Sequence, residues 1–181
     1  MVFNKIKQKL LTDVLPSLIT SLGIVLVILT PKPALSAERL YLIYGPFKFS
    51  LSVESLEIYA KEGKITKEFA FYASHMDKAS LLNLRQTLQQ THKIDGVQFS
   101  RLLRTPIMED MLKSMGDIFS THYGYNGFYA IRSALILAAF NQTQDGWTAI
   151  DIMRYFPTDA VWIDLKSMAK LMKNGGLSSP N

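Results

Sequence analysis

The sequence predicts a mainly α fold: a compact multi-helix array preceded by a short N-terminal β-hairpin, with a candidate short strand near residues 160–164. Three observations lead there. Hydrophobic residues make up 48% of the chain and charged residues 19%, enough to build a core and too balanced for a disordered polyelectrolyte. The apolar period changes from two to helical at Ser52 and stays helical for most of the remaining chain. Capping residues also recur ahead of the apolar stripes, at the spacing of short helices.

Residues 1–37 read as an address. "MVFNKIKQKLL" carries three lysines, an uncharged run extends from Val14 to Pro31, and small residues follow at Ala34, Ser36 and Ala37. A basic head, an apolar middle and small residues at a cleavage point describe a secretory signal. Cuts after Ser36 and after Ala37 both fit. The alternative is an uncleaved anchor, since the run approaches the roughly 20 residues of a spanning helix. Either way, an exported product in a periplasmic or lumenal space is expected, with a membrane attachment only through this segment if it is retained.

Residues 38–174 are expected to form the helical domain. In "RLYLIYGPFKFSLSV", Gly45-Pro46 separates two alternating runs, the hairpin signal. On the second run, Phe47, Phe49, Leu51 and Val53 share one face, which should be buried. Ser52 then caps a helix that Gly63 closes, Thr66 caps a second, and Asp77 a third whose inner stripe is Leu81, Leu84 and Leu88. Asp95 starts a fourth, and Pro106 both ends it and opens a fifth. That fifth helix, "PIMEDMLKSMGDIFST", should face inward with Ile107, Met111, Met115 and Ile118–Phe119. The methionines at 108, 111 and 115 suit core filling, or an adaptable binding surface. "GWTAIDIMRYFP" reads as a short helix stopped by Pro157, "DAVWIDL" as the candidate strand, and "LKSMAKLMKNGG" as a last helix. Residues 175–181 read as a flexible tail.

Between these lies "GFYAIRSALILAAF", residues 127–140, with Arg132 as its one charge. Phe128, Ile131, Leu135 and Ala138 fall on one face and Tyr129, Ile136 and Phe140 on the next. A helix apolar nearly all round is buried. Fourteen residues span roughly 21 Å, short of the roughly 30 Å hydrocarbon layer, and a central charge would be costly there. The stretch is therefore expected to be the central helix of a soluble core. Arg132 either runs its stem out to water or a carboxylate, or binds an anionic group at a functional surface.

The formal net charge of +5 misleads. Lys5, Lys7, Lys9 and Lys32 against Asp13 give +3 within residues 1–37, leaving 16 basic and 14 acidic side chains beyond them. That balance gives no case for nucleic acid. The chain has no cysteine, so disulfides and thiolate chemistry are excluded. It contains no Gly-x-Ser-x-Gly turn, no His-Glu-x-x-His metal spacing and no glycine-rich phosphate loop, so no catalytic residue, cofactor or metal is expected. His92 and His122 are expected at helix ends, and His75 lies near Asp77, a pairing that local capping explains equally well.

"AERLYLIYGPFKFSLSVESLEIYAKEGKI", "FYASHMDKASLLNLRQTL", "RLLRTPIMEDMLKSMGDIF" and "GYNGFYAIRSALILAA" resemble the domain of unknown function 1400. The resemblance is to the N-terminal helical domain of exported α/β-hydrolases of photosynthetic bacteria, and it runs from about Ala37 to about Leu171. It implies a serine hydrolase domain after this region, where the present sequence stops at Asn181. Two functions then compete: a non-catalytic exported accessory or binding domain, or a truncated fragment of a secreted esterase-like or lipase-like hydrolase. For the first, the expected partners are an α/β-hydrolase or an apolar ligand. The expected contact residues are Arg132, Tyr125, Phe128 and Tyr129.

Overall fold

The computed structural model describes residues 36–122 and 124–173. All but the last two residues of the predicted signal, and the predicted tail at 175–181, lie outside the described residues. Among those described, no helix is long and apolar enough to cross a membrane.

Two strands, β1 (Arg39–Tyr44) and β2 (Phe47–Ser52), form the expected hairpin about Gly45, whose φ of 59° is the left-handed turn conformation. The helices α1 (Val53–Glu62), α2 (Lys67–Ala73), α3 (Lys78–Gln89), α4 (Gly96–Leu102) and α5 (Pro106–Gly116) follow. Next come β3 (Phe119–Ser120), α6 (Gly127–Phe140), α7 (Ala149–Arg154), β4 (Ala160–Asp164) and α8 (Leu165–Lys173). The predicted caps hold. Ser52, Thr66, Asp77 and Asp95 each accept from the amide three residues on, and Pro106 stands in the first turn of α5. Gly63 ends α1 in the left-handed conformation, donating its amide to Tyr59. The carbonyls of Ala60 and Lys61 would otherwise be orphaned. Arg85 and Gln89 of α3 donate to them, which ties α3 to the end of α1.

The candidate strand near 160 is real, and it makes the hairpin part of a larger sheet. β4 pairs in parallel with β1, from Arg39↔Ala160 to Ile43↔Asp164, and β3 pairs antiparallel with β4. The order is β2-β1-β4-β3. Leu40, Leu51, Val161 and Ile163 bury the inner face against the helices, in one core with Leu56, Phe69, Leu103, Leu112 and Ile131. A polar network fastens the hairpin to α1 and α2. The hydroxyls of Ser52 and Ser55 donate to Glu68, and Arg39 pairs with the same carboxylate at 2.6 Å. Burial pushes the Glu68 carboxyl up, but the Ser52 hydroxyl and amide and the Arg39 charge outweigh it and hold Glu68 below its ordinary value.

Four expectations are corrected. Phe47 and Phe49 are not buried, at 61% and 38% exposed, because the hairpin tip extends beyond the helices that cover Leu51. The fifth helix stops at Gly116, and Phe119–Ser120 turns into a strand that caps the edge of β4. Its inner stripe is Met108, Leu112 and Met115, while Ile107 is 73% exposed. Finally, α6 is not buried all round. Its buried side is Gly127, Ala130, Ile131, Ala134, Ala138 and Ala139, a small-residue face on which α5 and α7 close in. Leu135 is half-buried, and Tyr129 and Phe140 are exposed.

Candidate functional site

The start of α6 carries the residues singled out in the sequence. A tight loop leads into it: the Tyr125 carbonyl accepts from the amide and hydroxyl of Thr121, and the Tyr125 amide donates to His122. Asn126 then adopts φ 54°, a left-handed conformation that asparagine tolerates better than most residues. The chain turns sharply into the helix at Gly127. Tyr125 and Tyr129 are consequently exposed, at 71% and 69%.

Phe128 and Tyr129 stand edge to face, with centroids 4.9 Å apart. The Arg132 guanidinium lies 5.7 Å from the Phe128 ring and 3.5 Å from Glu109 of α5. Phe128, Tyr129 and Arg132 thus form one cluster. Tyr125 stands apart on the loop, held by its main chain. The outlet for Arg132 is the edge carboxylate that sequence reasoning allowed, at a distance where the pair adds little stability. The Arg132 side chain is still about one-fifth exposed, beside the Phe128 ring.

A second feature was not legible in the sequence. An apolar groove of about 180 Å³ lies between the inner face of the sheet and α5, α6 and α7. Met115, Phe119, Ile131, Ile152, Met153 and Ile163 are among its walls. Its residues come from six different elements, so no local motif announces it. Two flexible methionines suit an apolar group of variable shape.

On the outer face, a cleft of about 450 Å³ includes Lys48, Asp117, Ser120, Trp162 and Asp164. Lys48 Nζ stands 4.4 Å from the Tyr41 ring and 5.1 Å from Trp162, neighbours across the parallel pair. Asp164 accepts from the amides of Lys166 and Ser167 and so caps α8.

His92 and His122 are placed differently from expectation. His92 lies beyond α3, exchanging two backbone hydrogen bonds with Trp147, and His122 stands edge-on to Trp162. Neither ends a helix. His75 Nδ1 bonds the Phe71 carbonyl at 2.7 Å, while Asp77 serves Ser80 as a cap, so local capping was the right account. Among the described residues no cluster of three or more metal-ligating side chains is present.

A protein-family model described as "Alpha/beta hydrolase of unknown function (DUF1400)" matches residues 36–164. No curated protein and no solved structure matches the chain.

Proposed function

The chain belongs to the DUF1400 family, and from that premise we propose that residues 36–164 are an exported, non-catalytic accessory domain that works beside an α/β-hydrolase. The apolar groove under α6 and α7 carries this reading: it can receive a short segment of an acyl chain without supplying a nucleophile. Hydrolase chemistry of this class needs a serine on a tight strand-to-helix turn. Residues 36–164 have no Gly-x-Ser-x-Gly context, so the nucleophile would come from elsewhere. The Phe128–Tyr129–Arg132 cluster, with Tyr125 on the adjoining loop, supplies aromatic and arginine groups of the kind that anchor protein contacts.

Titration against long-chain fatty-acid probes and against a hydrolase of the family tests both halves. Saturable fatty-acid binding should be lost in Ala149→Trp, which fills the groove wall. Arg132→Ala should weaken hydrolase binding while changing stability by less than about 1 kcal/mol, because the residue is at the edge. The domain alone should not turn over p-nitrophenyl esters. Binding of neither probe, or turnover abolished by one serine substitution, would sink the proposal.

Export through residues 1–37 is part of the same reading, and the burial of Ala37 favours one of the two cleavage points. Ala37 is fully buried in the core, and the Glu38 amide donates to Asp159. A cut after Ser36 keeps Ala37, whereas a cut after Ala37 removes a core side chain and places a charged amine at its edge. Sequencing of the exported product should therefore begin at Ala37. A product beginning at Glu38 or Met1 would contradict this.

A further inference from the structure

Aromatic side chains that a sheet normally hides stand in solvent at the hairpin tip. Tyr44 and Phe47, partners across the last rung, are 54% and 61% exposed, and Phe71 of α2 is 56% exposed. Phe49 joins them into one crest, its ring 6.5 Å from Phe47 and 6.2 Å from Phe71, near-parallel to both. Contiguous exposure across three elements marks an interaction surface rather than scattered apolar residues.

Basic groups adjoin it. Lys166 reaches the tip from the first turn of α8, its Nζ 5.5 Å from the Tyr44 ring. Lys170 and Lys173 follow four and seven positions later, on the same side of the helix. Leu165, Met168 and Leu171 occupy the other side and pack against the core. Among the described residues, none of these three lysines forms an ion pair. Asp117 and Asp164 line the cleft with Lys48, and Asp164 is engaged by the α8 amides.

We propose that the Tyr44–Phe47–Phe49–Phe71 crest and the Lys166–Lys170–Lys173 stripe dock the protein on the surface of an anionic lipid bilayer. Phenyl rings enter the acyl boundary, a tyrosine rests at headgroup level, and lysines on flexible stems meet the phosphates. Point charges beside a crest of rings suit a fluid layer of headgroups. A protein partner is more often met by aromatics in pockets and by arginine forks. This contact is separate from any made by the N-terminal segment and does not depend on a hydrolase.

Because the chain has no cysteine, a single one reports locally. Nitroxide labels at Phe47→Cys, Phe71→Cys and, as a control on exposed α3, Gln86→Cys would be read in the full chain on vesicles. On phosphatidylglycerol vesicles, labels at 47 and 71 should gain accessibility to oxygen and lose it to a nickel chelate, while 86 stays aqueous. Phosphatidylcholine should give a much smaller change. Combining Lys166→Glu, Lys170→Glu and Lys173→Glu, in protein shown to be folded by circular dichroism, should reduce binding through this face at least about tenfold. Labels at 47 and 71 that stay aqueous on vesicles the chain has bound would overturn the proposal. So would shielding of position 47 only on adding a hydrolase, or insertion indifferent to both lipid charge and the lysine changes.

Discussion

Phe69→Ala is expected to lower the unfolding free energy by about 3–5 kcal/mol, the range for truncating a buried phenylalanine. Phe69 is 1% exposed, and its ring lies 4.9 Å from that of Tyr59 on α1. The loss should be near the top of that range because this ring is the one large, fully buried side chain of α2. Only Phe69 and Ala73 are buried in its seven residues. Without the ring, α2 loosens, and Glu68 loses the position from which it meets Arg39, Ser52 and Ser55. Urea denaturation of the wild type, Phe69→Leu and Phe69→Ala should give an ordered series. A loss below about 1 kcal/mol for the alanine variant would mean α2 is not packed as described.

Gly127→Ala should cost at least about 3 kcal/mol, the upper end for overpacking a core, or prevent folding. A Cβ on Gly127 would fall against the carbonyl oxygens of Gly116 and Phe119, well inside contact distance. Conversely, a Cβ on Gly116 would stand 2.5 Å from the Phe128 amide nitrogen. Both obstacles are backbone, so no side chain can swing away. The close approach brings the end of α5 onto the start of α6 and aims Tyr125 and Tyr129 outward. Thermal denaturation of Gly127→Ala beside the open-space control Gly124→Ala separates clash from lost backbone freedom. Gly124 has positive φ, but its Cβ would meet nothing within 4 Å. Equal losses at both positions would refute the close-approach account.

Local chemistry was legible in the sequence. Ser52, Thr66, Asp77 and Asp95 announce helix starts because each accepts from the amide three residues on, and Pro106 because its fixed φ suits a first helical turn. The side of α6 that faces inward was not legible. Periodicity treats Leu135 and Ala134 alike, whereas the approach of α5 through Gly116 and Gly127 selects the face with the smallest side chains. Alternation likewise placed Phe47 and Phe49 with Leu51 but could not show that the helical layer ends before the tip. For the candidate site, the sequence supplied the Phe128–Tyr129–Arg132 cluster, whose members share one helix turn. The groove, with walls from six elements, becomes visible only once β4 lies beside β1.

That parallel pairing governs how the chain acquires its fold in time. β1 begins at residue 39, yet the strand that completes it starts only at residue 160. Until then the hairpin has an open edge of unpaired amides and carbonyls, with Leu40 and Leu51 uncovered. Contacts so distant in sequence close slowly, and an open apolar edge is where chains adhere to one another. A molecule that emerges in order must therefore keep β1 waiting for β4, and is most vulnerable to aggregation in that interval, before it has a completed sheet to unfold.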